Sequence, residues 1–286
     1  MKKIILCVLA LLIVGCQKQE PKVQSSNWYM AVKSTQKDSE YAPFSNEAFL
    51  TDSFLEEIKK TKGVEEVQPI YMFDTNLIEP GKLDSPYGNV KVYRNNDLEA
   101  EYFYDPTNDE VKSFVLINIW GYPQGLDMSK FTAYQRKREI AEGCYLSADV
   151  AQQLGINNLD DNYELEIYCL IPVSNTIDES MFEENPELVQ DVTNDKQLLY
   201  PYTLKIKVAG ILNPGISSSC GQLYIPLEQM QNLINEHQIE EVKTNNYIVK
   251  IKESSALKEI QSLDKDLKIK QYPLESTANI KKTNLN

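Results

Sequence analysis

Histidine is almost absent from this sequence, which contains only His237 among 286 residues. A single histidine excludes a His-rich transition-metal site, and it could form a cysteine–histidine dyad only beside a cysteine. The sequence also lacks a Gly-x-Ser-x-Gly elbow, a glycine-rich phosphate loop and paired zinc ligands. We therefore predict no enzyme, no cofactor and no metal site, and we expect His237 to be an exposed surface residue.

Positive charge is also scarce, since 29 basic residues stand against 42 acidic ones and the formal net charge is −13. That balance excludes a nucleic-acid partner, because few cations are available to replace the counterions of a phosphate backbone. It also argues against a polybasic grip on an anionic bilayer. The hydrophobic content of 42% is that of a globular protein with a packed core.

Long apolar runs are missing too, and the longest one, Ile4–Val14, is shorter than the roughly 20 residues that span a bilayer. Lys2 and Lys3 precede this run, and Gly15-Cys16 follows it. This order is typical of an export signal, and its end resembles a bacterial lipobox. The resemblance implies cleavage before Cys16, a diacylglycerol thioether on its sulfur, and acyl chains such as palmitate. The alternatives are an ordinary signal peptide or a short first transmembrane helix.

The predicted location is therefore the extracytoplasmic face of a cell membrane, with the protein held by lipid on Cys16. Residues 1–15 would be the signal peptide, and residues 16–26, which are polar, would be a tether. Three further cysteines, Cys144, Cys169 and Cys220, allow at most one disulfide within the chain. Cys144 and Cys220 are the candidate pair, and three separately buried thiols are the favoured alternative.

A β-α-β unit is predicted near each end of the chain. In the first, Asn27–Lys33 and Val64–Phe73 have strand composition, and Thr51–Lys62 reads as a helix that Thr51 caps and Gly63 stops. In the second, strands Tyr247–Lys252 and Leu267–Tyr272 flank a helix. Ser254 or Ser255 would cap that helix, and Leu257, Ile260 and Leu263 would form its apolar face.

The two units predict an α+β fold, because together they can form one four-stranded sheet with two helices on one side. This is a split ferredoxin-like (βαβ…βαβ) arrangement, interrupted by a long insertion. We assign residues 27–89 and 241–286 to the two halves of this subdomain and residues 90–240 to an inserted β-rich lobe. The lobe's predicted strands are Val90–Tyr93, Ala100–Tyr104, Val111–Trp120, Tyr163–Ile171, Tyr202–Leu212 and Gln222–Ile225.

Two stretches of the lobe resemble each other, CYLSADVAQQLGI from Cys144 and LYIPLEQMQNLI from Leu223. Each runs from a strand end with a tyrosine into a helix with an acidic first turn. Ser147 is the expected cap of the first helix, and Pro226 suits the start of the second.

Two oxygen-rich segments are weaker candidates for cation binding. The segment Asp105–Glu110 lacks the spacing and glycine of a calcium hand, and a turn between strands explains it better. The segment 177–195 has seven acidic residues and no basic one, and we expect a solvated loop or loose helix.

Three segments together resemble the extracytoplasmic core domain of MacB/FtsX-type ABC transporter permeases. They are FLEEIKKTKGVEEVQPI (Phe54–Ile70), GCYLSADVAQQLGINNLDDNYELEI (Gly143–Ile167) and YTLKIKVAGILN…LYIPLEQMQNLI (Tyr202–Ile234). The resemblance implies a porter-like part made from the two end units, with a β-rich lobe inserted between them. The two similar stretches would be architectural elements of that lobe.

The sequence departs from the family in two ways. Family permeases carry transmembrane helices around this domain, whereas no second apolar segment of membrane length occurs here. The family's usual glycine-aspartate pair is replaced by Leu159-Asp160-Asp161-Asn162. We therefore expect the fold and location of the family without its transport activity.

Two functions are compatible with these features of the sequence. The first is a non-catalytic interaction or accessory module, whose partner would be a MacB/FtsX-type ABC permease or another envelope protein. The alternative is a ligand-binding lipoprotein, which would hold a peptide, antibiotic or lipid in the cleft between the two lobes.

Overall fold

Strands dominate the computed structural model, which describes residues 26–33, 52–75, 87–104, 111–112, 117–135, 143–190, 197–216, 221–244, 246–264 and 267–273. In chain order the strands are β1 (Trp28–Lys33), β2 (Val64–Pro69), β3 (Met72–Asp74), β4 (Tyr87–Arg94), β5 (Asp97–Tyr104), β6 (Val111–Lys112), β7 (Ile117–Tyr122), β8 (Thr132–Gln135), β9 (Cys144–Leu146), β10 (Tyr163–Ser174), β11 (Val189–Gln190), β12 (Leu198–Leu212), β13 (Gly221–Pro226), β14 (Asn246–Ile251) and β15 (Leu267–Gln271). The helices are α1 (Asp52–Lys60), α2 (Ala148–Gln153), α3 (Glu179–Glu184), α4 (Leu227–His237) and α5 (Ser255–Leu263), with a 3-10 turn at Met128–Phe131. The fold is α+β, as the sequence predicts.

The two ends of the chain share one sheet, called here the terminal sheet. Its strand order is β15-β1-β14-β2, and every neighbouring pair is antiparallel. Trp28 lies opposite Lys250, and Tyr29 lies between Val249 and Gln271. The prediction that the two end units contribute strands to one four-stranded sheet is therefore confirmed.

Helices α1 and α5 pack on one face of the terminal sheet. Ile58 of α1, together with Ala256 and Ile260 of α5, is buried against Ala31 and Val249 of the strands. The prediction for α5 was wrong in two details. Leu263 is 37% exposed, because the buried face follows the i, i+4 pair Ala256 and Ile260 instead, and Ser254 makes no capping hydrogen bond through its side chain.

The predicted strand Val64–Phe73 was also wrong, because it is two strands that lie in different sheets. β2 ends at Pro69, where the backbone N–H of Ile70 donates to the carbonyl of Asn246 across 2.9 Å. β3 then pairs with β7 in the larger sheet, and Phe73 is fully buried there. The apolar pattern continues through the segment because both sheets bury it, so periodicity alone does not reveal the break.

The larger sheet, called here the inserted sheet, has eleven strands within the described residues. The path is β11-β12-β9-β13-β7-β3-β10-β4-β5-β6, with β8 paired to β12. The long strands β10 and β12 pair antiparallel from Glu164–Lys207 to Ser174–Leu198, with a bulge between Pro172 and Ser174. Parallel pairing occurs between β12 and β9 and between β13 and β7. Five of the six strands predicted for the lobe are present. The prediction of Val111–Trp120 as one strand was wrong, because Val111–Lys112 (β6) pairs with β5, whereas Ile117–Tyr122 (β7) lies between β13 and β3.

The two similar stretches are neighbours in the inserted sheet. β9 and β13 pair antiparallel, with Tyr145 opposite Tyr224 and Leu146 opposite Leu223. Ser147 does not cap α2 through its side chain, contrary to expectation. Its hydroxyl oxygen instead accepts a hydrogen bond from the backbone N–H of Gln222 across 3.0 Å, and its own N–H donates to the Gln222 carbonyl. The serine therefore ties one stretch to the other.

The helices that follow these strands bury the predicted faces. Val150, Ala151 and Leu154 are buried at α2. Leu227, Met230, Leu233 and Ile234 are buried on α4, which contacts β7, β10 and β13. Among the described residues, the helices are all too short or too polar to cross a membrane.

Candidate functional site

The junction between the two sheets is the place where the sequence predicts a ligand cleft. The terminal sheet presents to it the face that its helices leave free, with Trp28, Met30 and Ile248 all at 0% exposure. These residues belong to the same core cluster as Trp120, Tyr224 and the other buried side chains of the inserted sheet. The two sheets therefore share one core.

Tyr272, which follows the last strand of the terminal sheet, extends this junction. Its ring packs edge-to-face on Tyr224 with centroids 5.8 Å apart, and its hydroxyl donates to the Gly121 carbonyl across 2.6 Å. Burial raises the pKa of the Tyr272 hydroxyl well above its usual value, with the nearby Tyr224 as a second cause. Among these residues the junction is therefore packed with large aromatic side chains, and the predicted ligand cleft stays a prediction.

A row of alternating charges crosses the outer face of the inserted sheet. Glu101, Lys91, Glu166 and Lys205 lie directly opposite one another on β5, β4, β10 and β12. Lys91 Nζ lies 3.1 Å from Glu166 Oε1, and Lys205 Nζ lies 2.9 Å from Glu166 Oε2. We call these four residues the charge row.

Glu166 is the centre of the charge row, with its side chain only 16% exposed. The hydrogen bond from Lys205, followed by that from Lys91, holds the pKa of this carboxyl below its usual value against the opposing effect of burial. The same contacts raise the pKa of Lys91 and of Lys205. Opposite charges that lie directly opposite each other on neighbouring strands stabilise a sheet, so the charge row contributes to the stability of the inserted sheet. The sequence shows the charges at alternate strand positions, but only the strand register brings them together.

The turn between β4 and β5 is anchored to the start of β10. Arg94 Nε donates to Asp161 Oδ2 across 2.7 Å, and the side-chain amide of Asn95 donates to Asp161 Oδ1 across 3.0 Å. These two bonds lower the pKa of Asp161. Asn95 and Asn96 have φ values of 53° and 75°, as a two-residue hairpin requires. The Asn-Asn pair between two strands is a turn signal in the sequence, from which this hairpin could have been predicted.

His237 ends α4 and is half-buried rather than exposed, which corrects the prediction for this residue. Its ring stacks on Tyr200 with centroids 4.4 Å apart and planes 15° apart, and Tyr202 is 5.5 Å away. Both tyrosines lie on β12, two residues apart and on one face. The histidine therefore helps to pack the end of α4 on the inserted sheet.

The acidic segment is more ordered than expected over its described part, 177–190. It forms α3 and the short strand β11, and Asp178 caps α3 by accepting from the backbone N–H of Ser180 across 3.0 Å. A small hydrophobic cluster around Val173, Leu188 and Leu198 holds it. Among the described residues, no group of three or more His, Cys, Asp or Glu side chains is placed to hold a metal ion.

Cys144 and Cys169 are buried free thiols. Burial raises the pKa of Cys169 to about 12 and raises that of Cys144 further. Because Cys144 is free, the candidate pair Cys144–Cys220 was wrong, and Cys220 itself lies outside the described residues. The lipid-attachment residue Cys16, the candidate turn Asp105–Glu110 and residues 191–195 also lie outside them.

Comparison with known proteins gives structural neighbours only. No family model matches the sequence, and no curated protein matches it closely. The chain is similar to the periplasmic region of MacB from Actinobacillus actinomycetemcomitans, at 12% identity and a TM-score of 0.37, over 94% of this chain and 97% of that one.

Two further structures are similar over most of their length. One is the extracellular domain of the noncanonic ABC-type transporter YknZ from Gram-positive bacteria, at 11% identity and a TM-score of 0.32, over 85% of this chain and 98% of that one. The other is a domain described as part of a permease protein from Porphyromonas gingivalis, at 11% identity and a TM-score of 0.32, over 87% and 91% of the two chains. Likenesses of this degree do not establish a shared function.

Proposed function

We propose that this protein is a lipid-anchored, non-catalytic interaction module on the extracytoplasmic face of a membrane, acting as an accessory component of an ABC-transporter or envelope complex. Its terminal sheet would be a split ferredoxin-like, porter-like subdomain, as the resemblance to the MacB/FtsX-type core domain implies. The strand order β15-β1-β14-β2, with both helices on one face, supports this assignment.

One observation carries the proposal: the first strand after the predicted anchor is a central strand of a sheet that is fused to the rest of the core. β1 lies between β15 and β14, and its Trp28 and Met30 are buried with the residues of the inserted sheet. An anchor on Cys16 would therefore hold the whole described body at the membrane. A body held in this way is suited to present a fixed surface to a membrane-bound partner.

The ligand-binding alternative has less support, because its predicted site is the junction between the two sheets. The junction holds the fully buried side chains of Trp28, Tyr224 and Tyr272. A ligand there would have to displace packed aromatic side chains, which costs several kcal/mol for each one.

The test is affinity capture of the tagged full chain from the membranes of its own cells after mild cross-linking, with protein identification by mass spectrometry. We expect an ABC permease to be enriched with the native chain and absent with Cys16→Ala, which cannot take a thioether-linked lipid. Mass spectrometry of the N-terminal peptide reports the lipid separately. Enrichment of no envelope protein, with the lipid present, would count against the accessory role.

A further inference from the structure

Three exposed lysines lie at one edge of the terminal sheet, meaning here the edge formed by the ends of its strands rather than by an outer strand. Antiparallel pairing places the starts of β1 and β2 beside the ends of β14 and β15, as shown by the 2.7 Å bond from the Lys252 N–H to the Gly63 carbonyl. Lys60 ends α1 at this edge, and Lys62 lies in the turn into β2. Lys60, Lys62 and Lys252 are all exposed, and we call these three residues the lysine edge.

The lysine edge contrasts with the balance of the whole chain. The formal net charge is −13, and the described acidic segment 177–190 has five acidic residues and no basic one. The exposed acidic residues beside the lysine edge include Glu253, next to Lys252, and Glu57, one turn before Lys60, whereas Glu56 is paired with Lys59 across 2.8 Å. A further glutamate, Glu65, lies 3.3 Å from Lys250 and is neutralised by it. Lys60, Lys62 and Lys252 thus give this end of the terminal sheet three exposed positive charges in a protein whose net charge is negative.

The chain enters the described body at this same edge. The Ser26 carbonyl accepts a hydrogen bond from the side-chain amide of Gln271 across 3.1 Å, and the Asn27 carbonyl accepts one from the Ile251 N–H across 2.8 Å. Cys16 precedes Ser26 by ten residues. Ten residues span at most about 35 Å even when fully extended, so a lipid on Cys16 keeps this edge close to the bilayer.

We propose that the lysine edge lies against the anionic phosphate headgroups of the membrane that holds the anchor. The inference rests on the proposed lipid anchoring of Cys16 and adds an orientation to it. An acidic body tethered to an anionic surface is repelled by it, so the orientation of lowest energy turns the basic edge inward. Each lysine close to such a surface contributes about fivefold to its occupancy.

A purely structural role accounts for only part of the lysine edge. Lys60, in the last turn of α1, is favourable at the negative end of the helix dipole. Lys62 and Lys252 lie outside the helices, in the two turns that the Gly63 carbonyl joins. Both side chains are exposed at the edge where the chain enters the described body, and contact with lipid headgroups would explain their position there.

The experiment measures lysine labelling on the acylated full chain in vesicles. One set contains phosphatidylglycerol and phosphatidylcholine, and the other contains phosphatidylcholine alone. A water-soluble amine reagent reacts with the neutral amine only, and an anionic surface concentrates protons about threefold. We therefore expect Lys62 and Lys252 to react about threefold more slowly in the anionic vesicles, relative to Lys130 and Lys207. High salt, about 1 M, should remove the difference, because it shortens the screening length to about 3 Å.

Two variants with the same net charge separate the effect of the lysine edge from the effect of the overall charge. In the variant Lys60→Gln/Lys62→Gln/Lys252→Gln, the neighbouring Lys59 should be labelled in anionic vesicles at a rate no lower than that of Lys130. The variant Lys130→Gln/Lys207→Gln/Lys243→Gln has the same net charge, and its Lys62 and Lys252 should still react about threefold more slowly in the anionic vesicles than in vesicles of phosphatidylcholine alone. Equal labelling in the two kinds of vesicle, with the lipid confirmed by mass spectrometry, would overturn the proposed orientation. Loss of the lipid itself would instead overturn the anchoring.

Discussion

The terminal sheet and the inserted sheet differ in how their faces are covered. The terminal sheet has α1 and α5 on one face and the inserted sheet's core against the other. The inserted sheet buries one face and leaves the charge row on the other, where the Lys205 side chain is 65% exposed. The first sheet therefore depends on apolar packing on both sides, whereas the outer face of the second is stabilised by paired charges, which are worth much less.

The largest effect is expected at the junction of the two sheets. Trp28→Ala should lower the free energy of unfolding by about 3–5 kcal/mol, because it removes a fully buried indole from the core that the sheets share. Denaturant unfolding followed by fluorescence and circular dichroism measures this loss. The two signals should change together in one transition, since one core joins both sheets.

The control for this substitution is Leu98→Ala on β5, where the side chain is 55% exposed. Its effect should stay within about 0.5 kcal/mol. Two separate unfolding transitions in the unmodified protein would contradict a shared core.

The turn from α1 into the terminal sheet should give the next largest effect. Gly63 has φ of +88°, and a Cβ added there would lie 2.9 Å from the Glu253 Cβ. Gly125 has nearly the same φ, +86°, with no atom within 4 Å of an added Cβ. Gly125→Ala should cost about 1 kcal/mol for the left-handed backbone alone, and Gly63→Ala should cost about 1 kcal/mol more because of the contact.

Thermal unfolding of the two variants measures this difference directly. Equal losses of stability in Gly63→Ala and Gly125→Ala would mean that the turn at Glu253 moves away from the added Cβ without cost.

A smaller effect is expected from the hydroxyl that links the sheets. Tyr272→Phe removes the donor to the Gly121 carbonyl but keeps the ring against Tyr224. The free energy of unfolding should fall by about 1–3 kcal/mol, toward the lower end if another donor reaches the carbonyl. Tyr134→Phe is the matched control, because the Tyr134 side chain is 52% exposed, and it should be neutral. A neutral Tyr272→Phe would show that this bond adds nothing to the junction.

The comparison of the two sheets also explains what the sequence could predict. The terminal elements follow local rules: alternation in β1 and β14, an apolar face at Ile58, and a glycine at the αL stop of Gly63. These rules also located the helices after β9 and β13. They failed at the segment 64–73, because a continuous apolar pattern does not show that the chain changes sheets at Ile70.

The contacts that matter most for the site depend on strand register, which a single sequence does not contain. Glu166 meets Lys91 and Lys205 only because β10 lies between β4 and β12. His237 is half-buried because α4 ends beside Tyr200, which is 37 residues away along the chain. Ser147 has the composition of a cap but bonds to Gln222 on the partner strand instead. In each case a tertiary contact replaced the local one that the sequence favoured.

The smallest effect is expected at the charge row, and its sign depends on pH. The folded state lowers the pKa of Glu166, chiefly through Lys205, so the ionised carboxylate stabilises the fold above the usual glutamate range. That stabilisation is lost as the pH falls through the lowered pKa. Glu166→Gln should therefore cost about 0.5–1 kcal/mol near pH 7, where Lys91 and Lys205 both lose their contact with Glu166, and the cost should shrink as the pH falls below the usual glutamate range.

Urea unfolding of both proteins between about pH 3 and pH 7 measures this change, with Glu164→Gln as the control. Glu164 lies two residues earlier on the same strand face, opposite Lys207, so its substitution removes the same net charge and leaves the contacts of Glu166 with Lys91 and Lys205 in place. If both variants lose the same stability with the same pH dependence, net charge governs the outer face and the direct pairing contributes nothing. A larger, pH-dependent loss for Glu166→Gln alone would show that register, rather than overall charge, stabilises the open face of the inserted sheet.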